Sequence, residues 1–270
     1  MRVVALLATY NEQRFIGDCL EHLHEQGVET YLVDNCSTDE TVAIAERFLD
    51  GGGLIGIEEF PRDGVYEWGR LLRRKEELAR DLEADWFIHT DADELRLPPA
   101  GLGTLAEALA EVDRQDYNAV NFFELTFLPT RDAPDHDHPE FQQTLRTYYP
   151  FCPFFPHGLR AWKASAAPEP EIASSGGHKV QFPGLRMYPE SFFMKHYLFL
   201  GVPHAVEKYV QREYDAREVR TGWHGWRARV KESDFILPSR SELRFTHTDE
   251  DLDTSEPRSR HYVDEQLAAI

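Results

Sequence analysis

The sequence predicts an α/β fold built on a mostly parallel sheet with helices on both faces. Three observations predict it. Short apolar runs alternate with segments of helical periodicity through the first 97 residues, the runs are too continuous to be half-solvated strands, and each ends in a polar cluster. The second half, from about residue 116, breaks this rhythm with short candidate strands and proline-rich loops, so a more irregular region follows the regular one.

Taken in order, Val3 to Ala8 reads as the first buried strand. The run stops at Thr9-Tyr10-Asn11-Glu12 with no cleavage signature and is too short for a signal peptide or a membrane span. Phe15, Ile16, Cys19, Leu20 and Leu23 then recur at helical spacing, with Gly27 where a helix terminator falls. "TYLVDN" supplies a second strand. "STDETVAIAERFL" supplies a second helix, for which Ser37 and Glu40 have capping-box spacing, and Gly51-Gly52-Gly53 stops it. A third strand covers Leu54 to Ile57, Leu71, Leu72, Leu78 and Leu82 give the next helical stripe, and "WFIHT" makes the fourth strand.

In the second half a helix runs from Thr104 to about Arg114 and "NAVNFFELTFL" follows as a strand. "GLRAWK", "HKVQF" and "SFFMKHYLFL" are further short strands, and a helix is expected from about Ala205 to Arg220. At 270 residues one unit is expected, with residues 1–115 as one half and 116–270 as the other.

Composition narrows the function. Lys plus Arg number 29 against 48 Asp plus Glu, a formal charge of −19, which repels a nucleic-acid backbone or an anionic membrane over most of the surface. No nucleic-acid partner and no transmembrane segment are expected. Three cysteines without metal-ligand spacing fit a reducing compartment, so a cytoplasmic location is expected.

In parallel sheets ligands bind beyond the carboxyl ends of the strands. The clusters Thr9 to Glu12, Asp34 to Asp39 and Asp91 to Glu94 each follow a strand, and all three should line one rim. Asp91-Ala92-Asp93 gives two hard oxygen donors, the kind that hold Mg²⁺ or Mn²⁺ together with phosphate oxygens and water. "LLATYNE", "LVDNCSTDET" and "WFIHTDADE", in that order, resemble the inverting glycosyltransferases of family 2, whose GT-A fold is Rossmann-like.

That resemblance implies a nucleotide diphosphate sugar as donor, with a divalent metal. Thr9, Asn11 and Glu12 would lie near the nucleotide, with Asp34, Asn35 and Asp39 near the base or ribose, Arg73 near the donor, Asp91 at ribose and metal, and Asp93 at the metal. Asn35 stands where many members of the family carry a second aspartate, which leaves the base open. The acceptor would be a glycan, a lipid-linked molecule or a small molecule. Family enzymes often add a late histidine to the two carboxylates, and His196 is preferred to His178 for that place.

"SGGHKV", "KHYLFLGVPHAVEKYVQR" and "GWHGWR" resemble a further branch of the same family. His204, Lys208 and Arg212 are four residues apart and would stack on one helix face as a diphosphate or anionic-acceptor clamp, or as a solvated face paired with Glu207, Glu213 and Asp215. Trp223 and Trp226 fit packing better than stacking on a sugar. Glu124, ahead of Glu190, is the candidate base. "DHDHPE", with His136 and His138, reads as a mobile loop over the acceptor rather than as a metallohydrolase site. Two other functions share these features, a non-catalytic sugar-nucleotide or glycan binder and a nucleotidyltransferase. The second usually has a glycine-rich phosphate loop that "ATYNEQRF" lacks.

Overall fold

The computed structural model describes residues 1–62 and 64–269, with side chains described up to residue 267. The chain forms two compact units that interleave along the sequence. The first takes Met1–Arg62, Trp68–Phe122 and Pro156–Met194, and the second takes Asp63–Glu67, Phe123–Phe155 and Lys195–Ile270. The expected halves therefore map onto these units only in part, since Pro156–Met194 clusters with the N-terminal region.

The first unit carries strands β1 (Val3–Thr9), β2 (Glu29–Asp34), β3 (Leu54–Glu59), β4 (Trp86–Asp91) and β5 (Glu94–Leu97), with helices α1 (Ile16–Glu25), α2 (Thr41–Ala45), α3 (Trp68–Asp81) and α4 (Leu105–Arg114). β2 and β4 flank β1, β3 lies outside β2, and all four are parallel. Every residue of β1 is buried, as its unbroken apolar run requires. The chain moves one way across the sheet from β1 to β3 and then back to β4. Right-handed crossovers taken in opposite directions put α1 and α3 on opposite faces. α4 is held at its start by a true capping box, Thr104 with Glu107.

β6 (Ala119–Phe127) serves both units. Its first residues pair antiparallel with β8 (Leu159–Lys163), which pairs antiparallel with β4. Its later residues, Glu124 to Phe127, pair with β7 (Thr147–Phe151) in the second unit, and β7 pairs with β10 (Arg244–Phe245). β9 (Phe192–Tyr197), short helices α5 (Phe141–Thr144), α6 (Val202–Ala205) and α7 (Ala216–Arg220), and a terminal α8 (Tyr262–Ala269) complete the chain. The core of the second unit is largely aromatic, with Tyr149, Phe199, Tyr209, Trp226 and Phe235 buried together.

Three expectations about local structure give way. Ser37 does not cap α2: its amide and hydroxyl both go to Asp34, at 2.8 and 2.5 Å, and Asp39 receives the Thr41 amide at 3.0 Å instead. "HKVQF" forms isolated bridges rather than a strand, with Val180 donating to the Leu159 carbonyl and Gln181 exchanging hydrogen bonds with Glu171. The helix expected over 205–220 is interrupted. α6 passes into a π turn at Val206–Val210, and α7 starts afresh where the Asp215 carboxylate caps the Arg217 and Glu218 amides. The break is enforced by Tyr66, which takes the Glu213 carbonyl and gives its own carbonyl to the Asp215 amide.

The "DHDHPE" stretch is an irregular, mostly exposed loop anchored at its histidines. His136 is buried, its amide bonds the Leu200 carbonyl, and the rings of His136 and His138 both bond the Thr144 hydroxyl.

Candidate functional site

Strand register brings the three polar clusters to one rim. Thr9 aligns with Asp34 across β1 and β2, and Ala8 aligns with Asp91 across β1 and β4. The clusters that follow these strands therefore leave the sheet side by side.

The first two clusters are sewn together. Asn11, in the left-handed region at φ 56°, donates its amide to Ser37 Oγ and accepts the Thr38 amide on its side-chain oxygen. The Glu12 amide reaches Thr41 Oγ1, and the Gln13 amide reaches Asp39 Oδ2. Asp34 is buried and accepts from Thr9 Oγ1 at 3.2 Å as well as from Ser37. Asn35, also buried, donates to the Phe60 carbonyl and accepts from Arg62, whose guanidinium lies 3.7 Å above the Tyr10 ring. Thr9, Asn11, Glu12, Asp34, Asn35 and Asp39 are thus brought together. Asn11 and Asp39 bind the two turns to each other, and Arg62 on Tyr10 is an aromatic-backed cation that sequence patterning does not single out.

At the end of β4, the three clustered carboxylates lie among three buried cations. Glu94 accepts from Arg160 Nη1 and from Arg96 Nη2, each at 2.5 Å, and from the Asp91 amide at 3.1 Å. It closes the turn and bridges both arginines. Lys75 is fully buried, with its ammonium 3.0 Å from the Thr90 carbonyl, 3.0 Å from His89 Nδ1 and 3.7 Å from Asp91 Oδ1. Burial pushes the Lys75 ammonium down to about 8, against the opposing pull of Asp91 and Glu94. Burial and then Lys75 hold His89 well below the ordinary imidazole range, which makes it a neutral acceptor for Lys75 through Nδ1.

Asp91 is part-exposed beside Lys75, and Asp93 is buried in the same turn. Two carboxylates in such a turn suit a hard divalent cation completed by phosphate oxygens and water. Among the described residues no group of three or more His, Cys, Asp or Glu is placed to hold a metal by itself. His178 joins this neighbourhood through Arg160, whose Nη2 is 3.4 Å from His178 Nδ1, and its ring stacks on His157 at 4.5 Å.

Other expected residues fall elsewhere. Arg73 is on the exposed face of α3, and Glu190 is exposed in the turn before β9. In the second unit Glu124 is buried and its Oε1 meets both His196 Nδ1 at 2.7 Å and Thr126 Oγ1 at 2.8 Å. His196, expected as a metal ligand, therefore has one ring nitrogen on a carboxylate. His204 is not part of a cationic stripe, because its Nδ1 accepts the Leu200 amide at 3.1 Å. Lys208 lies in the π turn and Arg212 beyond it, so the interrupted helix does not stack them. Trp226 packs against Tyr209 at 5.0 Å.

Lys75, His89, Arg96 and Arg160 were not picked out from sequence. Lys75 had a signal, since it shares the helical stripe of Leu71, Leu72, Leu78 and Ala79, all buried. Arg160, inside a short strand pattern, had none.

A family model described as glycosyl transferase family 2 matches residues 5–157. The lipopolysaccharide core biosynthesis glycosyltransferase LpsC of Rhizobium meliloti (strain 1021) is 33% identical over 110 residues, 40% of this chain and 37% of that protein. The match thus spans little more than a third of that relative. Among solved structures, S. aureus TarS 1-349 in complex with UDP-GlcNAc aligns with 13% identity over 87% of this chain and 77% of that one, at a TM-score of 0.42. The mannosyltransferase PcManGT from Pyrobaculum calidifontis, in complex with GDP-Man and Mn2+, aligns with 18% identity over 80% and 66%, at 0.43. No helix among the described residues is long and apolar enough to cross a membrane.

Proposed function

The chain belongs to glycosyl transferase family 2, with the α/β architecture of a GT-A fold, and from that premise we propose that it moves a sugar from a nucleotide diphosphate sugar to an acceptor hydroxyl with inversion. The observation that carries this reading is the Asp91–Asp93 turn, set by strand register beside the sewn Thr9–Glu12 and Asp34–Asp39 turns. The nucleoside lies on Thr9, Asp34 and Asn35, with the Arg62–Tyr10 pair at its edge.

Asp93, with Asp91, would hold Mn²⁺ or Mg²⁺, and such an ion supplies charge stabilisation to the departing diphosphate. The Lys75 ammonium faces Asp91 at 3.7 Å and offsets part of its charge. Arg96 and Arg160 stay on Glu94 and keep that third carboxylate from competing. Glu124, with His196 Nδ1 2.7 Å from its carboxylate, is the candidate to take the proton of the acceptor hydroxyl. A single displacement at the anomeric carbon inverts its configuration.

The test is nucleotide release from UDP-, GDP-, dTDP- and CDP-linked sugars in the presence of Mn²⁺ or Mg²⁺, with and without candidate acceptors. Asp93→Asn should abolish metal-dependent turnover while far-UV circular dichroism stays unchanged. Full turnover by that variant would overturn the assignment of the carboxylate pair. Binding of a nucleotide sugar without any release would instead favour a non-catalytic binder.

A further inference from the structure

Helix α3 carries a lysine where its stripe calls for an apolar side chain. Leu71, Leu72, Leu78 and Ala79 are buried along that stripe, and Lys75 lies among them at 0% exposure. A buried ammonium loses hydration that its partners seldom return in full, and an apolar residue of similar volume would serve the core at least as well. The surroundings carry a second cost. An ammonium only donates, so His89 Nδ1 accepts from it at 3.0 Å and the ring proton sits on Nε2. That Nε2 is buried with no hydrogen-bond partner among the described residues, and a Cβ at Gly177 would fall 2.9 Å from it. An unmade hydrogen bond of this kind is unfavourable, so core packing explains neither feature.

The ammonium is fixed in place by neutral groups. It donates to His89 Nδ1 and to the Thr90 carbonyl, each at 3.0 Å, and lies 5.4 Å from the Trp68 ring centre. The carboxylate it meets at ion-pair range is that of Asp91, with Oδ1 at 3.7 Å. That distance is beyond hydrogen-bond length, so Lys75 does not aim the carboxylate. The Asp91 backbone is held without it, by register with Ala8 and by the amide's hydrogen bond to Glu94 at 3.1 Å. What Lys75 brings to Asp91 is therefore charge. The Asp91 side chain is still 32% exposed and can be reached from the rim. A divalent cation on that carboxylate would meet a buried, little-screened positive charge behind it. Arg96 and Arg160 face Glu94, so three carboxylates in this turn are met by three buried cations.

We propose that Lys75 withholds Asp91 from a free divalent ion, so that the Asp91–Asp93 turn takes the ion only together with a diphosphate, whose oxygens supply the missing negative charge. This rests on the donor-site reading above. Lys75 ties metal binding to nucleotide binding, and the same repulsion loosens the ion again once the nucleotide leaves.

The experiment follows free and bound Mn²⁺ by electron paramagnetic resonance, in the full chain near neutral pH, with and without UDP. Wild type should bind Mn²⁺ weakly alone and more tightly with UDP. Lys75→Met, similar in length and uncharged, should bind Mn²⁺ alone about tenfold or more tightly than wild type, a modest part of the repulsion between charges this close. The tightening by UDP should shrink to match. Lys75→Gln should behave in the same way, and this arm stands if the methionine variant does not fold. The gain should vanish in Lys75→Met/Asp93→Asn, which places it at the carboxylate pair. A lysine that merely filled the core would change stability and leave Mn²⁺ affinity alone. The proposal is overturned if both position-75 variants bind Mn²⁺ alone no more tightly than wild type while Asp93→Asn weakens Mn²⁺–UDP binding. Unchanged Mn²⁺–UDP binding in Asp93→Asn would instead overturn the donor-site reading, and this proposal with it.

Discussion

Two buried glutamates divide the work of charge in this molecule, and they do so through their partners. Glu94 meets two guanidinium groups at 2.5 Å, and burial draws one of them, Arg96, down to about 10, still well above neutrality. Glu124 meets one imidazole at 2.7 Å and a threonine hydroxyl. The first carboxylate bridges two guanidinium groups and serves the structure of the β4 turn. The second faces one imidazole and one hydroxyl, and it is the one proposed as base. Burial alone does not distinguish the two; what each touches does.

The largest effect should come from breaking the Glu94 bridge. Glu94→Ala leaves Arg96 and Arg160 as buried cations without their shared carboxylate, and a loss of about 3–5 kcal/mol is expected in urea unfolding. A loss below about 1 kcal/mol would show that the two arginines find water, and the contrast with Glu124 would lose its basis.

Lys75 sharpens the comparison, because it is a cation whose burial has made it titratable. In the unfolded chain it keeps its proton up to the usual 10.5, whereas in the folded chain it loses it from about 8. Between those values the unfolded state binds more protons, so stability rises with pH across that window, by about 3 kcal/mol for this group. Wild-type and Lys75→Met chains, compared from pH 7.5 to 10 with chelator present, should differ in slope in that direction. Parallel curves would refute the shift.

Next in size is the Glu124–His196 pair. Glu124→Gln should leave nucleotide binding intact and lower turnover by about two orders of magnitude. His196→Gln, which keeps a hydrogen-bonding side chain beside Glu124, should lower turnover less. Equal metal affinity in His196→Gln and wild type would also show that this histidine is no metal ligand.

The smallest effect tests a region remote from both. Thr104→Ala removes the α4 capping box and should cost about 1 kcal/mol in thermal unfolding without changing turnover.

What could be read in the sequence follows from the range over which each interaction acts. Strand, turn and helix order through β4 was legible, since β1 is apolar throughout and α3 carries a clear stripe. So was the convergence of three polar clusters, because parallel topology dictates it. The cations among the carboxylates were not. Arg160 reaches Glu94 across 66 residues, and nothing near Arg160 in the chain advertises that partner. Ser37 illustrates a local error, where a capping-box spacing lost to an aspartate three residues upstream that bonds both its amide and its hydroxyl. The helix from 205 failed for the opposite reason, because the distant Tyr66 claimed the backbone groups that would have continued it.

The stitch between the first two turns has a consequence for ligand thermodynamics. Asn11, Glu12 and Gln13 are hydrogen-bonded to Ser37, Thr38, Asp39 and Thr41 by the chain's own groups alone. A nucleoside docking there, as proposed, would meet turns whose backbone is already tied together, so little ordering entropy would oppose association. Its arrival should be fast and should leave the amide exchange of these two turns nearly unchanged, as docking on a preset surface requires. The two turns are one mechanical part, and a change in the length of either would have to be answered in the other.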